Sequence, residues 1–236
     1  MLAIYKREML SYFTSPIGYI FMAMFMAMSG ILFSFFTFLM NSTSVSTYFT
    51  FLIFIFIIVI PLLTMKLMSE EKKLKTEQIL LTSPVSITSI ILAKFFAAFT
   101  MFGITFIASE AIHFFVIGRY TENINYPEVM GTVIGVLLIG GAFIAVGLFI
   151  SALTESQIVA AISTIAAVLL MICLSFIANY IPNDLLANVI RWFAILSRFS
   201  PFTIGILDLA SVIYYISLAV IFIFLSVRVY EKRRWS

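Results

Sequence analysis

The pair of side chains best spaced for chemistry lies inside a long apolar stretch. Glu110 and His113 are three residues apart, so on a helix they share one face. A carboxylate and an imidazole in that arrangement could supply half of a metal site or of a proton relay. Such a site needs further ligands. Among the other apolar stretches, only Asp208 offers a carboxylate at a similar depth in the membrane. A pore-facing or helix-pairing role is therefore favoured, and a carboxylate that reaches the nearby outer membrane surface is the alternative.

A second candidate is an apolar turn within a charged segment, residues 66–89. Ser69-Glu70-Glu71 has the composition of a helix start, because serine accepts hydrogen bonds from free N–H groups and acidic residues favour the positive end of the helix dipole. Thr76-Glu77 is a second start, and the apolar residues that follow it are Ile79, Leu80 and Leu81. Exposed apolar side chains in a charged loop indicate a protein contact. The alternative is that they rest on the membrane surface.

Motifs for enzymatic chemistry are missing from the sequence. Gly135-Val-Leu-Leu-Ile-Gly140 has the first glycine spacing of a nucleotide-binding loop. However, Gly141-Ala142 stands where lysine and serine or threonine are required. The sequence has no His-Glu-x-x-His zinc helix, no Gly-x-Ser-x-Gly turn and no cysteine pair. The chain is therefore predicted to have no catalytic or metal site and to bind no cofactor itself.

The composition indicates the surroundings in which any such chemistry takes place. Of 236 residues, 63% are hydrophobic and only 11% are charged. A soluble domain has about 45–50% apolar and about 25% charged residues, so a soluble globular enzyme is excluded. Disorder requires low hydrophobicity, and a disulfide scaffold requires more than the single cysteine present. The chain is predicted to be a membrane protein.

Six apolar stretches reach the roughly 17–25 residues that a helix needs to cross the hydrocarbon core. Their apolar runs are continuous and do not alternate every second residue, which excludes barrel strands. The predicted fold is an all-α polytopic membrane protein with six transmembrane helices in a single domain, residues 1–236. The predicted spans are Ile17–Met40, Thr47–Met65, Ile90–Ile117, Val129–Ile150, Gln157–Ile181 and Asp208–Val227.

The basic residues orient these spans. With six spans both chain ends lie on one side, and that side carries 11 of the 14 lysines and arginines, whereas the other side carries Arg119, Arg191 and Arg198. Short cytoplasmic loops are enriched in lysine and arginine. Both termini and residues 66–89 are therefore predicted to be cytoplasmic, in a multi-pass protein of the cell membrane. Because topology explains the basic excess, no nucleic-acid partner is predicted.

Two further segments lie outside the spans. In residues 1–16, apolar and charged side chains recur at helical spacing over Ala3–Phe13, which predicts a short helix in the membrane interface that ends at Ser15-Pro16. A merely basic flank of the first span is the alternative. Residues 182–207, on the outer side, would place two arginines near the middle of a seventh span at a steep cost. One or two re-entrant or interfacial helices are predicted there instead.

Short motifs along the whole chain, in a fixed order, point to one family. They are Tyr12-Phe13-Thr14-Ser15-Pro16, Pro61-Leu62-Leu63-Thr64-Met65-Lys66 with Glu70-Glu71-Lys72, Thr76-Glu77-Gln78-Ile79-Leu80-Leu81-Thr82-Ser83-Pro84, Lys94-Phe95, Gly147-Leu148-Phe149-Ile150-Ser151 with Thr154-Glu155-Ser156-Gln157, and Phe199-Ser200-Pro201-Phe202 before Gly205-Ile206-Leu207-Asp208. In these motifs the chain resembles the permease subunits of type-2 ABC exporters. It is most similar to the branch with the gliding-motility and nitrous-oxide-reductase-maturation permeases.

The resemblance implies a role for each segment. Residues 1–16 match the family's elbow helix, residues 66–89 contain its coupling helix, which docks on an ATPase subunit, and residues 182–207 match its outer re-entrant helices. The implied coupling residues are Glu71, Thr76, Glu77, Ile79, Leu80 and Leu81. The implied partners are ABC ATPase subunits, which hold the ATP and Mg, and a second permease chain, identical or paralogous, in the lipid bilayer. The sequence departs from the family at Lys75, where a glycine is usual.

Two other function classes stay open at the level of sequence. A secondary transporter or channel not driven by ATP would need internal repeats, broken helices and charges at the middle of the bilayer. No repeat is visible, and the middles of the predicted spans carry almost no charge. An intramembrane enzyme or assembly scaffold would have to use Glu110 and His113. An apolar, aromatic path would suit lipids, lipid-linked glycans, amphipathic peptides or drugs.

Overall fold

The computed structural model describes residues 1–39, 45–78, 85–120, 125–177 and 194–234. These residues form helices and no strand. The helices are α1 (Leu2–Thr14), α2 (Pro16–Ser34, continued by a π-helical turn Phe35–Leu39), α3 (Val45–Thr64), α4 (Ser69–Lys73), α5 (Ile87–Tyr120), α6 (Tyr126–Leu153), α7 (Gln157–Ile177), a 3-10 turn Leu196–Arg198, α8 (Ser200–Thr203) and α9 (Leu209–Arg234).

Six helices in the described part of the chain are long and apolar enough to cross a membrane, which confirms the predicted fold class. Their bounds, with α3 and α4 counted together in the second, are Pro16–Leu39, Ser46–Lys73, Ile87–Arg119, Tyr126–Leu153, Gln157–Ile177 and Leu209–Arg233. The second, third, fourth and sixth are longer than the stretches predicted from hydropathy. Hydropathy marks only the apolar part of a helix, whereas α5 continues past it at both ends with polar residues.

α6 lies at the centre of the bundle, where it packs against α3, α5, α7 and α9. Glycines allow this close contact: a Cβ on Gly140 would lie 2.3 Å from the ring of Phe102 on α5, and one on Gly147 would lie 2.2 Å from the hydroxyl of Thr64 on α3. Small residues let transmembrane helices approach in this way, so that dispersion contacts can form along their length. The arrangement of α3, α5 and α6 therefore depends on these two positions.

α1 meets α2 at a tight corner. α1 ends beside Ser15, and Pro16 takes the first position of α2, where its missing N–H costs nothing. A Cβ on Gly18 would lie 2.0 Å from the backbone oxygen of Tyr12, so only glycine fits there. The Tyr12 hydroxyl donates to the Leu63 carbonyl at 3.3 Å, and its burial raises the pKa of that phenol. The corner fixes α1 against the end of α3.

At the opposite end of the bundle, residues 194–208 pack on α6 and α9. A Cβ on Gly131 would lie 2.9 Å from the Phe202 carbonyl, and the Tyr215 hydroxyl donates to the Ile195 carbonyl at 2.8 Å. Asp208 begins α9: its carboxylate accepts from the Ser211 hydroxyl and amide, and these bonds hold the pKa of Asp208 below its usual value. Residues 182–193, in which part of the re-entrant segment was predicted, lie outside the described residues.

Candidate functional site

A buried lysine joins three elements at one end of the bundle. Lys94, on α5, is only 1% exposed. Its ammonium lies 3.0 Å from Oε1 of Glu71 on α4 and 3.1 Å from Oε1 of Glu8 on α1, and it donates to the Leu67 carbonyl at 2.7 Å. A buried charge is tolerated only when it is paired and hydrogen-bonded. The ammonium therefore ties α1, α4 and α5 together.

Arg7 completes this group. Its Nη2 lies 2.6 Å from the same oxygen of Glu8 and 2.6 Å from that of Glu71. Partial burial opposes the charged form of Arg7, but hydrogen bonds and attraction from the two carboxylates outweigh it and raise the pKa of Arg7. Two cations thus face two carboxylates in a charge-balanced set, the Lys94 cluster, which consists of Arg7, Glu8, Glu71 and Lys94.

The other side of α4 contacts α6 and α9. The adjacent Lys72 is 3% exposed; its Nζ donates to the Ala152 carbonyl and lies 5.7 Å from the centre of the Tyr230 ring. Arg233, near the end of α9, lies 3.4 Å from Oε1 of Glu77. Neighbouring residues point about 100° apart around a helix, so Glu71 and Lys72 reach different partners. The segment that contains α4 is therefore held from both sides.

Backbone groups between α3 and α4 are satisfied by one hydroxyl. Ser151 Oγ, on α6, accepts from the amides of Met68 and Ser69, each at 3.1 Å, and donates to the Met65 carbonyl at 3.2 Å. Ser151 belongs to the Gly147–Ser151 motif, whose physical role could not be read from the residues alone. Its position shows that the motif carries α6 close to α3 and fixes the start of α4.

The structure describes three of the six predicted coupling residues. Glu71 belongs to the Lys94 cluster, Glu77 pairs with Arg233, and Thr76 is exposed, with its hydroxyl 3.4 Å from the Glu71 carbonyl. Ile79, Leu80 and Leu81 lie outside the described residues. Nearby, Leu74 is 63% exposed. In the described part of the segment, α4 is therefore held by ion pairs, and Leu74, which follows it, exposes an apolar side chain.

Lys75 adopts the backbone conformation that glycine prefers. Its φ is 58°, and it follows the last turn of α4, a position where helices commonly end in the left-handed region. This explains how a lysine can stand where the permeases that the sequence resembles usually have glycine. The turn has the backbone conformation expected for glycine, and the Cβ of Lys75 makes that conformation less favourable.

Replacing Lys75 with glycine is expected to stabilise the protein. A residue with a Cβ in the left-handed region destabilises the folded state by about 1–2 kcal/mol, and glycine removes this strain. Glycine also has more freedom in the unfolded chain, which offsets part of the benefit. The free energy of unfolding is therefore expected to rise by about 0.5–1 kcal/mol. Thermal unfolding in detergent measures it. Lys75→Ala is the matched control and should leave stability within about 0.5 kcal/mol. A glycine variant less stable than the alanine variant would contradict the argument.

The pair singled out in the sequence lies far from α4, inside the bundle. Glu110 and His113, on α5, are 3% and 7% exposed. The Tyr48 hydroxyl, on α3, donates to Glu110 Oε1 at 2.7 Å and lies 3.0 Å from Nδ1 of His113. The imidazole stacks on the Phe33 ring of α2 with centres 4.4 Å apart. These contacts support the helix-pairing role, since they join α2, α3 and α5.

A metal at this place has few ligands to hold it. Among the described residues no group of three or more His, Cys, Asp or Glu side chains is close enough together to bind one. Oε2 of Glu110 is buried and has no hydrogen-bond partner there. The carboxylate is thus held through one oxygen by Tyr48, which the sequence could not reveal because Tyr48 lies 62 residues away.

Under the transport function that the resemblance implies, Glu110→Gln is therefore expected to leave partial transport activity. The amide oxygen can still accept the hydrogen bond from Tyr48, so the contact between α3 and α5 is kept. We expect a loss of less than about tenfold, or about 1.4 kcal/mol of barrier. The readout is ATP-dependent transport in proteoliposomes, with expression and ATPase binding measured alongside. Complete loss of transport while both stay normal would contradict a packing role.

A comparison with known protein families gives a match. The family model described as ABC-2 family transporter protein matches residues 33–229, which is most of the chain. The matched range includes α4, Lys94 and every predicted coupling residue. A comparison with curated proteins found no match.

Proposed function

The chain belongs to the ABC-2 family of transporter proteins, and from that membership we propose how it acts within a transporter. It is the membrane subunit, or permease, of an ABC transporter, and the family implies ATPase partners and a membrane environment. We further propose that the transporter is an exporter of the gliding-motility and nitrous-oxide-reductase-maturation branch. In this proposal two permease chains, identical or paralogous, pair around a central path.

In this proposal Thr76–Leu81 is the segment that receives force from the ATPase. The observation that carries it is the position of α4. Glu71 is bound to α1 and α5, and Lys72 to α6 and α9, immediately before that segment. A displacement of the docked segment would reach α1, α5 and α6 through charge-assisted hydrogen bonds, which are stronger than neutral ones, and α9 through the contact of Lys72 with the Tyr230 ring. ATP-driven closure of the partners would thereby rock the helices around the path.

The permease itself contributes a difference in substrate affinity between two states, as every transport cycle requires. ATP and Mg are held by the partner subunits in this proposal. A secondary transporter or channel draws no support from the family match. The discriminating experiment is affinity purification of the tagged chain in mild detergent. Co-purification of a Walker-motif ATPase supports the permease, whereas ATP-independent transport by the isolated chain would support the alternative.

The proposed orientation places both termini and residues 66–89 on the cytoplasmic side of a cell membrane. Lys73 and Asn125 lie at opposite ends of the bundle, and the positive-inside bias assigns the Lys73 end to the cytoplasm. Cysteines introduced at these positions, with Cys173 replaced by serine, are expected to react with a membrane-impermeant thiol reagent from opposite sides. Labelling of position 73 in intact cells would overturn the orientation.

A further inference from the structure

A cavity of about 180 Å³, lined by both polar and apolar side chains, lies beside the Lys94 cluster. Its walls come from the last turns of α1, the first turn of α2, the residues between α3 and α4, and the start of α4. The polar side chains that line it are Glu8, Ser11, Thr14, Ser15, Lys66 and Glu70. Neither the coupling proposal nor the helix-pairing role of Glu110 makes use of this cavity.

The elements around the cavity indicate its level in the bilayer. α1 is joined to a span by the single residue Ser15, and it exposes Leu10 and Phe13. A short amphipathic helix connected in this way lies at the level of the lipid headgroups. Just beyond the cavity, α2 exposes Tyr19 and Ile20, which are 55% and 50% accessible. The cavity thus opens among headgroups and continues along an apolar surface that faces lipid chains.

The charges at the cavity have opposite signs and are both accessible. Lys66 Nζ and Glu70 Oε2 are 3.7 Å apart, and their side chains are 26% and 41% exposed. This pair is looser than those of the Lys94 cluster, in which Glu8 is already balanced. A ligand with one anionic and one cationic group could exchange this weak pair for two contacts of its own.

Two of the hydroxyls at the cavity, those of Ser11 and Thr14, are placed to act as acceptors. Ser11 Oγ donates its hydrogen to the Glu8 carbonyl at 2.7 Å, and Thr14 Oγ1 donates to the Leu10 carbonyl at 2.9 Å. Their oxygens keep lone pairs but have no hydrogen left to give. An acceptor-rich cavity with a single accessible ammonium suits a ligand that carries a phosphate and several N–H donors.

We propose that this cavity binds the headgroup of phosphatidylethanolamine. The phosphate contacts Lys66, and the primary ammonium donates to Glu70 and to the hydroxyl oxygens of Ser11 and Thr14. The acyl chains follow the exposed face of α2. Phosphatidylcholine has no N–H to donate, and phosphatidylglycerol has no cation for Glu70. The site therefore selects a zwitterionic lipid with a primary amine, independently of ATPase coupling.

Native mass spectrometry of the full chain in detergent tests this, with phosphatidylethanolamine, phosphatidylcholine and phosphatidylglycerol of identical acyl chains. We expect phosphatidylethanolamine to bind about tenfold more tightly than the other two, since tenfold corresponds to the loss of about one hydrogen bond to a charged group. Equal binding of the three lipids would overturn the site, because it would indicate lipids held by the apolar surface alone.

Variants locate the binding. Lys66→Gln and Glu70→Gln should each remove the preference for phosphatidylethanolamine, whereas Lys6→Gln, an exposed lysine on α1 outside the cavity, should keep it. An unchanged preference in both cavity variants would contradict the assignment. Should a variant fail to fold, the lipid series on the unchanged chain still decides the proposal. Glycerophosphoethanolamine, which lacks acyl chains, should bind far more weakly, and equal affinity would show a soluble ligand instead of a lipid.

Discussion

Lys94→Met is expected to destabilise the permease strongly and to uncouple it from ATP hydrolysis. Methionine keeps most of the side-chain volume but removes the ammonium that serves Glu8, Glu71 and the Leu67 carbonyl. Within the Lys94 cluster, Arg7 alone then faces two carboxylates. Removing one member of a buried ion pair costs about 3–5 kcal/mol, because an unbalanced charge stays behind. Thermal unfolding in detergent and coupled hydrolysis in proteoliposomes measure the two effects.

The matched control is Lys73→Met. Lys73 is an exposed lysine on α4, and its replacement should change the free energy of unfolding by less than about 0.5 kcal/mol.

The double variant Glu71→Gln/Lys94→Met provides the sharper test. It removes one charge of each sign and leaves Arg7 paired with Glu8. Residues in one ion-pair network typically show coupling energies of about 0.5–3 kcal/mol, so the double variant should be more stable than Lys94→Met alone. Strictly additive losses would contradict the Lys94 cluster as a charge-balanced unit.

Leu80→Asp is expected to leave the permease folded and to detach the ATPase. In the proposed complex, Leu80 is one of three apolar anchors of the coupling helix, and such anchors typically cost about 1–3 kcal/mol or more when truncated. Aspartate adds the burial of an unpaired carboxylate, which costs more than a cavity. A loss of at least about 2.8 kcal/mol, or a hundredfold in affinity, should remove the ATPase from the purified complex.

Leu207→Asp makes the same chemical change at the opposite end of the bundle. Leu207 is 58% exposed, so this variant should co-purify with the ATPase at the wild-type ratio. A Leu80→Asp permease that keeps both the wild-type ratio and coupled hydrolysis would contradict the assignment of Thr76–Leu81.

The fold follows from the sequence because a membrane makes hydropathy decisive. A continuous apolar run can satisfy its backbone in lipid only as a helix, so six runs gave six helices. The end of α1 could be predicted because it is determined by adjacent residues: Ser15-Pro16 cannot continue the helix, and α1 ends at Thr14. The departure at Lys75 also marked a real feature, since that residue takes the conformation that glycine would take.

The site was less accessible to sequence reasoning, because its contacts join residues far apart in the chain. Spacing places Glu110 and His113 on one face of α5, but it says nothing of Tyr48 or Phe33. In the sequence, Lys94 stood out only as part of the Lys94-Phe95 motif, although it lies inside the apolar stretch Ile90–Ile117. The signal was present, because a lysine inside such a stretch needs a carboxylate partner. Which carboxylates serve it depends on how α1 and α4 fold back on α5.

The central proposal is that Thr76–Leu81 lies on an ATPase subunit. A photo-crosslinking amino acid placed at position 80 tests it most directly, with position 125, at the other end of the bundle, as the control. Irradiation of the detergent-solubilised complex is expected to give a covalent product between position 80 and the ATPase, and none from position 125. An ATPase that co-purifies but crosslinks only to position 125, or to neither position, would contradict the account.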